Sequence, residues 1–131
     1  MAKLGEQLKS ADWKAEKHAP AIECEDNVAA GESLVVTTQV GKEIAHPNTT
    51  GHHIRWINLY YKPAEEGSTY HIGAYEFNAH GESSAGDDEG PVLTDPCVVT
   101  SFKPKKSGTL YALSYCNIHG LWESSKDISV S

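Results

Sequence analysis

Residues 109–116 read TLYALSYC, and residues 54–61 read IRWINLYY. The first alternates with a period of two; the second is rich in β-branched and aromatic side chains and stops at Lys62-Pro63. Both features belong to extended chain, in which successive side chains point to opposite faces. Working outward, Leu34, Val36, Thr38 and Val40 share one face of another alternating segment, which follows the turn-like Ala30-Gly31-Glu32. YHIGAYEF at 70–77 and CVVTSF at 97–102 are further strands, and a short one is expected at 127–130. Between them, Asn78 to Pro96 holds Gly81, Gly86, Gly90 and Pro91, which makes it a long surface loop with one short strand around Val92 and Leu93. Lys103 to Gly108 is a polar turn. Only residues 2–9, with Leu4 and Leu8 on one face, have helical character, and they are too few to hold a helix alone.

Short strands with hairpin-length connections predict an antiparallel sandwich or small barrel. No βαβ alternation, glycine-rich phosphate loop or internal repeat competes with that reading. The length of 131 residues fits one domain, and two facing sheets can be buried without disulfides. Cys24, Cys97 and Cys116 are an odd number and too few for a disulfide scaffold; in a reducing compartment the first two read as thiols rather than a bridge. The net charge of -7 leaves no surplus of Lys and Arg for a nucleic-acid backbone. No apolar run approaches the ~20 residues that span a bilayer as a helix, and MAKLGEQLKSADW is not a secretory signal. The expectation is a cytoplasmic protein with neither nucleic acid nor membrane as partner.

The chemistry concentrates in three blocks. Cys116 and His119 have two residues between them and precede Gly120 at the end of a strand, a spacing that aims a thiolate and an imidazole at one ion from a tight turn. His46 and His52 flank Pro47, Asn48 and Gly51, which favour a reversing loop; adjacent His53 points the other way. Glu16 and His18 face one side of an extended segment, with Lys17 between them. Each block alone also reads as a polar surface turn. Together they offer four imidazoles and a thiolate, with a sixth position open. Zinc settles at four ligands, so such a set favours a redox-active ion. Copper competes, because blue-copper electron carriers are β-sandwiches that present Cys-x-x-His. Their weak axial methionine has no counterpart here, where Met1 is the only methionine.

EKHAP at 16–20, HPNTTGHHIRWI at 46–57 and CNIHGLW at 116–122 resemble the corresponding blocks of the superoxide reductases, in the one-iron, neelaredoxin branch of the desulfoferrodoxin family. The similarity extends over nearly the whole chain, including DWKAEKHAP and GTLYALSYCNIHGLW. The expected fold is therefore all-β, an immunoglobulin-like antiparallel β-sandwich with a short irregular N-terminal arm. It forms a single iron-binding domain over residues 1–131. A rubredoxin-like N-terminal domain is not expected, since Cys24 is the only cysteine before Cys97.

The resemblance implies one iron ion, Fe2+ or Fe3+, per chain. His18, His46 and His52 would bind it through Nε2 and His119 through Nδ1, with Cys116 as the axial thiolate. Glu16 would be the reversible sixth ligand of the oxidised form, and Lys17 the cation at the open face. Glu16 and Lys17 are the candidate catalytic residues. The implied reaction is one-electron reduction of superoxide to hydrogen peroxide, with rubredoxin or a similar small carrier as donor and a homotetramer as the assembly. Amides of Ile118 and His119 would donate to the sulfur. One departure stands out: Gly51 occupies a position where many relatives carry an acid. Cys24, Cys97, His71 and His80 receive no role, and Trp56, Trp122 and the nearby tyrosines are expected in the core.

Overall fold

In the computed structural model, which describes residues 1–131, the alternating segments become nine strands. They are β1 (Lys9–Ser10), β2 (Ala21–Glu23), β3 (Asn27–Val28), β4 (Leu34–Gln39), β5 (Ile54–Pro63), β6 (Tyr70–Glu76), β7 (Cys97–Phe102), β8 (Gly108–Cys116) and β9 (Gly120–Val130). One sheet runs β1-β9-β8-β5-β6, with β3 also pairing β9; the other runs β2-β4-β7. The chain is all-β in two sheets. The longer strands pair antiparallel, whereas the two-residue β1 and β3 both run parallel to β9, a departure from a purely antiparallel arrangement.

Burial follows the period of two. On β8, Leu110, Ala112, Ser114 and Cys116 are buried; on β4, Leu34, Val36 and Thr38 are. These meet Ile57, Leu59, Val98 and Ile128 in one core between the sheets. Each fully buried Leu or Ile contributes about 1.5–3 kcal/mol relative to exposure. β5 breaks strict alternation near its start, where the register with β8 shifts between Ile54 and Trp56. This bulge turns both Ile54 and Ile57 inward and bends the strand just after the histidine pair.

Four expectations change. The helical stretch 2–9 shrinks to a 3-10 turn at Leu4–Glu6, because no face of it is buried and Leu4 is 67% exposed. The last strand is longer than 127–130 and starts at Gly120; its polar half is held by pairing to β8 rather than by apolar alternation. Leu93 makes only an isolated bridge to His80. Trp56, Tyr60, Tyr111 and Tyr115 alternate with the buried residues of β5 and β8 and lie half-buried on the outer face, where Trp56 and Tyr115 stack at 5.6 Å. Of the aromatics, only Tyr61 and Phe77 belong to the core.

Ile57→Ala, which opens a void between the sheets, is expected to cost about 2–5 kcal/mol in urea unfolding. Val99→Ala, at a residue 65% exposed, is expected to stay within about 0.5 kcal/mol of the parent. Equal effects would contradict this placement of the core.

Candidate metal centre

The β8–β9 hairpin brings Cys116 and His119 together. Cys116 pairs with Gly120, leaving Asn117, Ile118 and His119 as the turn. Gly120 closes it at φ +80°, a left-handed conformation in which a side chain is strained. The alternation that buries Leu110 also turns Cys116 inward, and the residue is 1% exposed. The His119 amide donates to Cys116 Sγ at 3.4 Å, and His119 Nδ1 lies 3.8 Å from the same sulfur. The Ile118 amide makes no such bond.

His46 and His52 come from the loop between β4 and β5. Gly41, at φ +84°, lies so close that a Cβ there would sit 2.7 Å from the His46 backbone nitrogen. Thr49 closes the loop over His52: its amide donates to the His52 carbonyl at 2.9 Å, and its hydroxyl accepts the His52 amide at 3.0 Å. His53 points away from His52 and is buried, donating from Nδ1 to the Thr49 carbonyl at 2.8 Å. Its ring stacks on buried His80 at 3.5 Å and 6°. Parallel rings direct their lone pairs side by side, so this pair does not converge on an ion.

The arm before β2 supplies the third block. His18 is buried, and the Ser114 hydroxyl lies 3.2 Å from its carbonyl and 3.4 Å from that of Trp122, joining arm to hairpin. The Trp122 indole stacks on the His18 ring at 5.0 Å and 14° and donates to the His119 carbonyl at 3.3 Å. Glu16 accepts His18 Nδ1 at 2.5 Å and the amides of His18 and Ala19 at 2.5 and 2.8 Å. Its carboxylate therefore backs His18 from the far side of the ring and is not among the clustered ligand atoms. Lys17 is half-buried and forms none of the chain's ion pairs.

Four rings close a quadrilateral. His18 lies 4.9 Å from His46 and 4.6 Å from His119, while His52 lies 4.9 Å from His46 and 5.0 Å from His119. All four contacts are edge-on or tilted, unlike the parallel His53–His80 pair. One ligand atom each from His18, His52, Cys116 and His119 falls within 4.8 Å of the others; His46 adjoins this group through its ring contacts. His18 Nε2 and His119 Nδ1 are 3.0 Å apart. Because carbonyl and carboxylate oxygens accept, His18 and His46 carry their protons on Nδ1, toward Glu16 and the Pro47 carbonyl. Their Nε2 lone pairs are left for the centre. His46 Nε2 and His52 Nε2 are buried without a hydrogen-bond partner, as are the Nε2 atoms of the stacked His53 and His80 outside the cluster. Unpartnered imidazole nitrogens around a thiol fit a nitrogen-rich transition-metal site.

Burial shifts the imidazoles the same way. His46 is pushed down from 6.5 to about 4, mainly by desolvation, with the charges of His18, His52 and Lys17 acting in the same direction. His52 is also lowered, by desolvation first and then by His119, His18 and Lys17. Both are neutral at pH 7, the form that binds a metal. Burial pushes Glu16 up, yet hydrogen bonds from His18 and Ala19 outweigh it and hold the carboxyl below its ordinary range. Sequence reading had picked out all these titratable groups. It missed Gly41, Ser114 and the site role of Trp122, which act through packing and backbone; a glycine directly after a predicted strand was the one available signal.

Comparison with known proteins places these residues in context. Residues 10–125 match the family model described as Desulfoferrodoxin. The chain is 55% identical over 128 residues to the neelaredoxin of Megalodesulfovibrio gigas, covering 98% of each chain. It is 54% identical over 121 residues to the superoxide reductase of Pyrococcus furiosus, covering 92% of this chain and 95% of that one. The solved structure of the reduced superoxide reductase (neelaredoxin) from Archaeoglobus fulgidus superposes with a TM-score of 0.86 at 50% identity, over 93% of this chain and 98% of that one.

The depressed histidines predict acid lability of the metal-free protein. Above pH 6.5 His46 is neutral whether folded or not; below it the unfolded chain takes up a proton that the folded chain refuses until about pH 4. Stability therefore falls as pH falls through that window. Urea midpoints of metal-free wild type are expected to drop more steeply from pH 6.5 to 4 than those of His46→Ala. Parallel curves would contradict it.

Proposed function

The chain belongs to the desulfoferrodoxin family, and from that premise we propose that His18, His46, His52, His119 and Cys116 hold its metal, with Glu16 and Lys17 serving the reaction. The protein is an oxidoreductase that reduces superoxide by one electron to hydrogen peroxide at a single non-heme iron ion. Iron bound there supplies the electron and cycles between Fe2+ and Fe3+. The carrying observation is the quadrilateral of edge-on imidazoles against a buried thiol, two of their nitrogens having no other partner. The copper alternative gains no support from the relatives, which are superoxide reductases and neelaredoxins.

Four neutral imidazoles and one thiolate leave a divalent ion with net positive charge, so the site attracts an anion although the chain carries -7. Lys17 adds a cation beside His46 and His52, near enough to oppose their protonation. Local fields of this kind raise encounter rates roughly 10- to 1,000-fold. The Cys116 thiolate donates electron density from the buried side, and the His119 amide on its sulfur tempers that donation. Glu16 fixes the orientation of His18 through its bonds to the His18 ring and amide, and it is the carboxylate that would serve as a further ligand of the oxidised metal. Lys17 would supply a positive charge beside the site and orient water for the protons that the product requires.

Exposed His119 and Ile118, the latter 59% exposed, give a small redox partner access to the site and support rubredoxin or a similar carrier as donor. Assembly as a homotetramer is proposed on the family resemblance, and the half-buried aromatics of the outer sheet face offer apolar surface for contact between copies. The two packed sheets support the immunoglobulin-like description and a single domain over residues 1–131. No helix is long and apolar enough to cross a membrane; a cytoplasmic location is proposed on the three free thiols.

Cys116→Ser is expected to abolish the thiolate-to-iron absorption and most peroxide production; normal kinetics in that variant would refute the thiolate assignment. Lys17→Ala is expected to retain iron but capture superoxide more slowly, above all at low salt. The same second-order rate in both proteins at every ionic strength would remove the steering role.

A further inference from the structure

Asn117 sits in the turn between Cys116 and His119, and its side chain reaches across to the histidine loop. Its Oδ1 accepts the His53 amide at 2.9 Å, and its Nδ2 donates to the Gly51 carbonyl at 3.0 Å. Its own amide donates to the His53 carbonyl at 3.2 Å. The two side-chain bonds therefore fall on the residues immediately before and after His52, from a point one residue beyond the sulfur.

Against β8 the loop is otherwise set by the Ile54–Cys116 strand pair that follows it; its other ties run elsewhere, from Asn48 to the Thr94 carbonyl at 2.8 Å and from Thr50 to Asp88 at 2.8 and 3.1 Å. Gly51 is exposed, has no side chain, and would have open space around a Cβ. The Thr49–His52 bonds close the turn on itself without tying it to the hairpin. Just below, the β5–β8 ladder is irregular, its register shifting between Ile54 and Trp56. At this place Asn117 provides three hydrogen bonds between two segments that both carry ligand residues. Three such bonds at one place favour one loop position over its neighbours.

We infer that Asn117 is a positioning residue of the metal centre: by gripping the peptides on both sides of His52 it fixes that imidazole relative to the Cys116 thiolate. The inference rests on the reading of Cys116 and His52 as metal ligands. Groups that orient metal ligands from behind are worth 10- to 100-fold in metal affinity or activity when removed.

The test compares iron-loaded wild type with Asn117→Ala and Asn117→Asp. The aspartate keeps an acceptor for the His53 amide but loses the donor to the Gly51 carbonyl. Asn78→Ala serves as control, since Asn78 is exposed and its side chain makes one long contact, 3.5 Å to Glu76. The readouts are iron transfer to a competing chelator, the thiolate-to-iron absorption band and the midpoint potential. Both Asn117 variants are expected to hold iron roughly 10- to 100-fold more weakly, with a displaced band and potential; Asn78→Ala is expected to match wild type. If Asn117→Ala does not fold, Asn117→Asp decides. Wild-type affinity and an unmoved band in the Asn117 variants would overturn the inference, as would an equal change in Asn78→Ala. A wild type without any thiolate band would overturn the ligand assignment and this inference with it.

Discussion

Four buried imidazole nitrogens, the Nε2 atoms of His46, His52, His53 and His80, have no hydrogen-bond partner within the chain, and the first two belong to the ring of four histidines. A buried polar group left in that state costs about 1–3 kcal/mol. The rest of the site is arranged so that this cost is incurred: Gly41 admits the His46 backbone at close range, and Thr49 folds the loop over His52. On the proposed assignment, a metal held by His46 and His52 would remove the penalty at those two nitrogens.

The same arrangement separates the charge of the site from that of the molecule. Eighteen acidic residues against eleven basic ones repel anions at long range. Close to the site the balance reverses: Lys17 is unpaired, Glu16 is engaged with His18, and the metal's own charge exceeds that of the single thiolate. On the proposed assignment, attraction of superoxide is a short-range property, set by a few groups on the N-terminal arm and sharpened by their partial burial. The arm is held by β1 against β9, by the Ser114 hydroxyl on the His18 carbonyl, and by the stack of Trp122 on His18.

Much of this was legible in the residues. Alternation marked β4, β7 and β8 nearly to the residue, because one face of each is buried and the other is not. It failed for the first half of β9, where Glu123, Ser124 and Ser125 offer no apolar period and pairing alone makes the strand. It also failed for Trp56 and the tyrosines, since large aromatics fill an outer sheet face as readily as a core. The titratable groups of the site were visible because chemistry restricts which side chains can serve. The groups that hold them, Gly41, Ser114, Asn117 and Trp122, act through contacts between distant segments, and no local pattern carries that information.

The most direct test mixes the reduced, iron-loaded protein with superoxide in an anaerobic stopped-flow instrument and follows iron oxidation and hydrogen peroxide together. Peroxide formed in step with oxidised iron, without release of dioxygen by the protein, is the expected result. Dioxygen evolution accompanying turnover, or iron oxidation that yields no peroxide, would contradict a reductase built on these ligands.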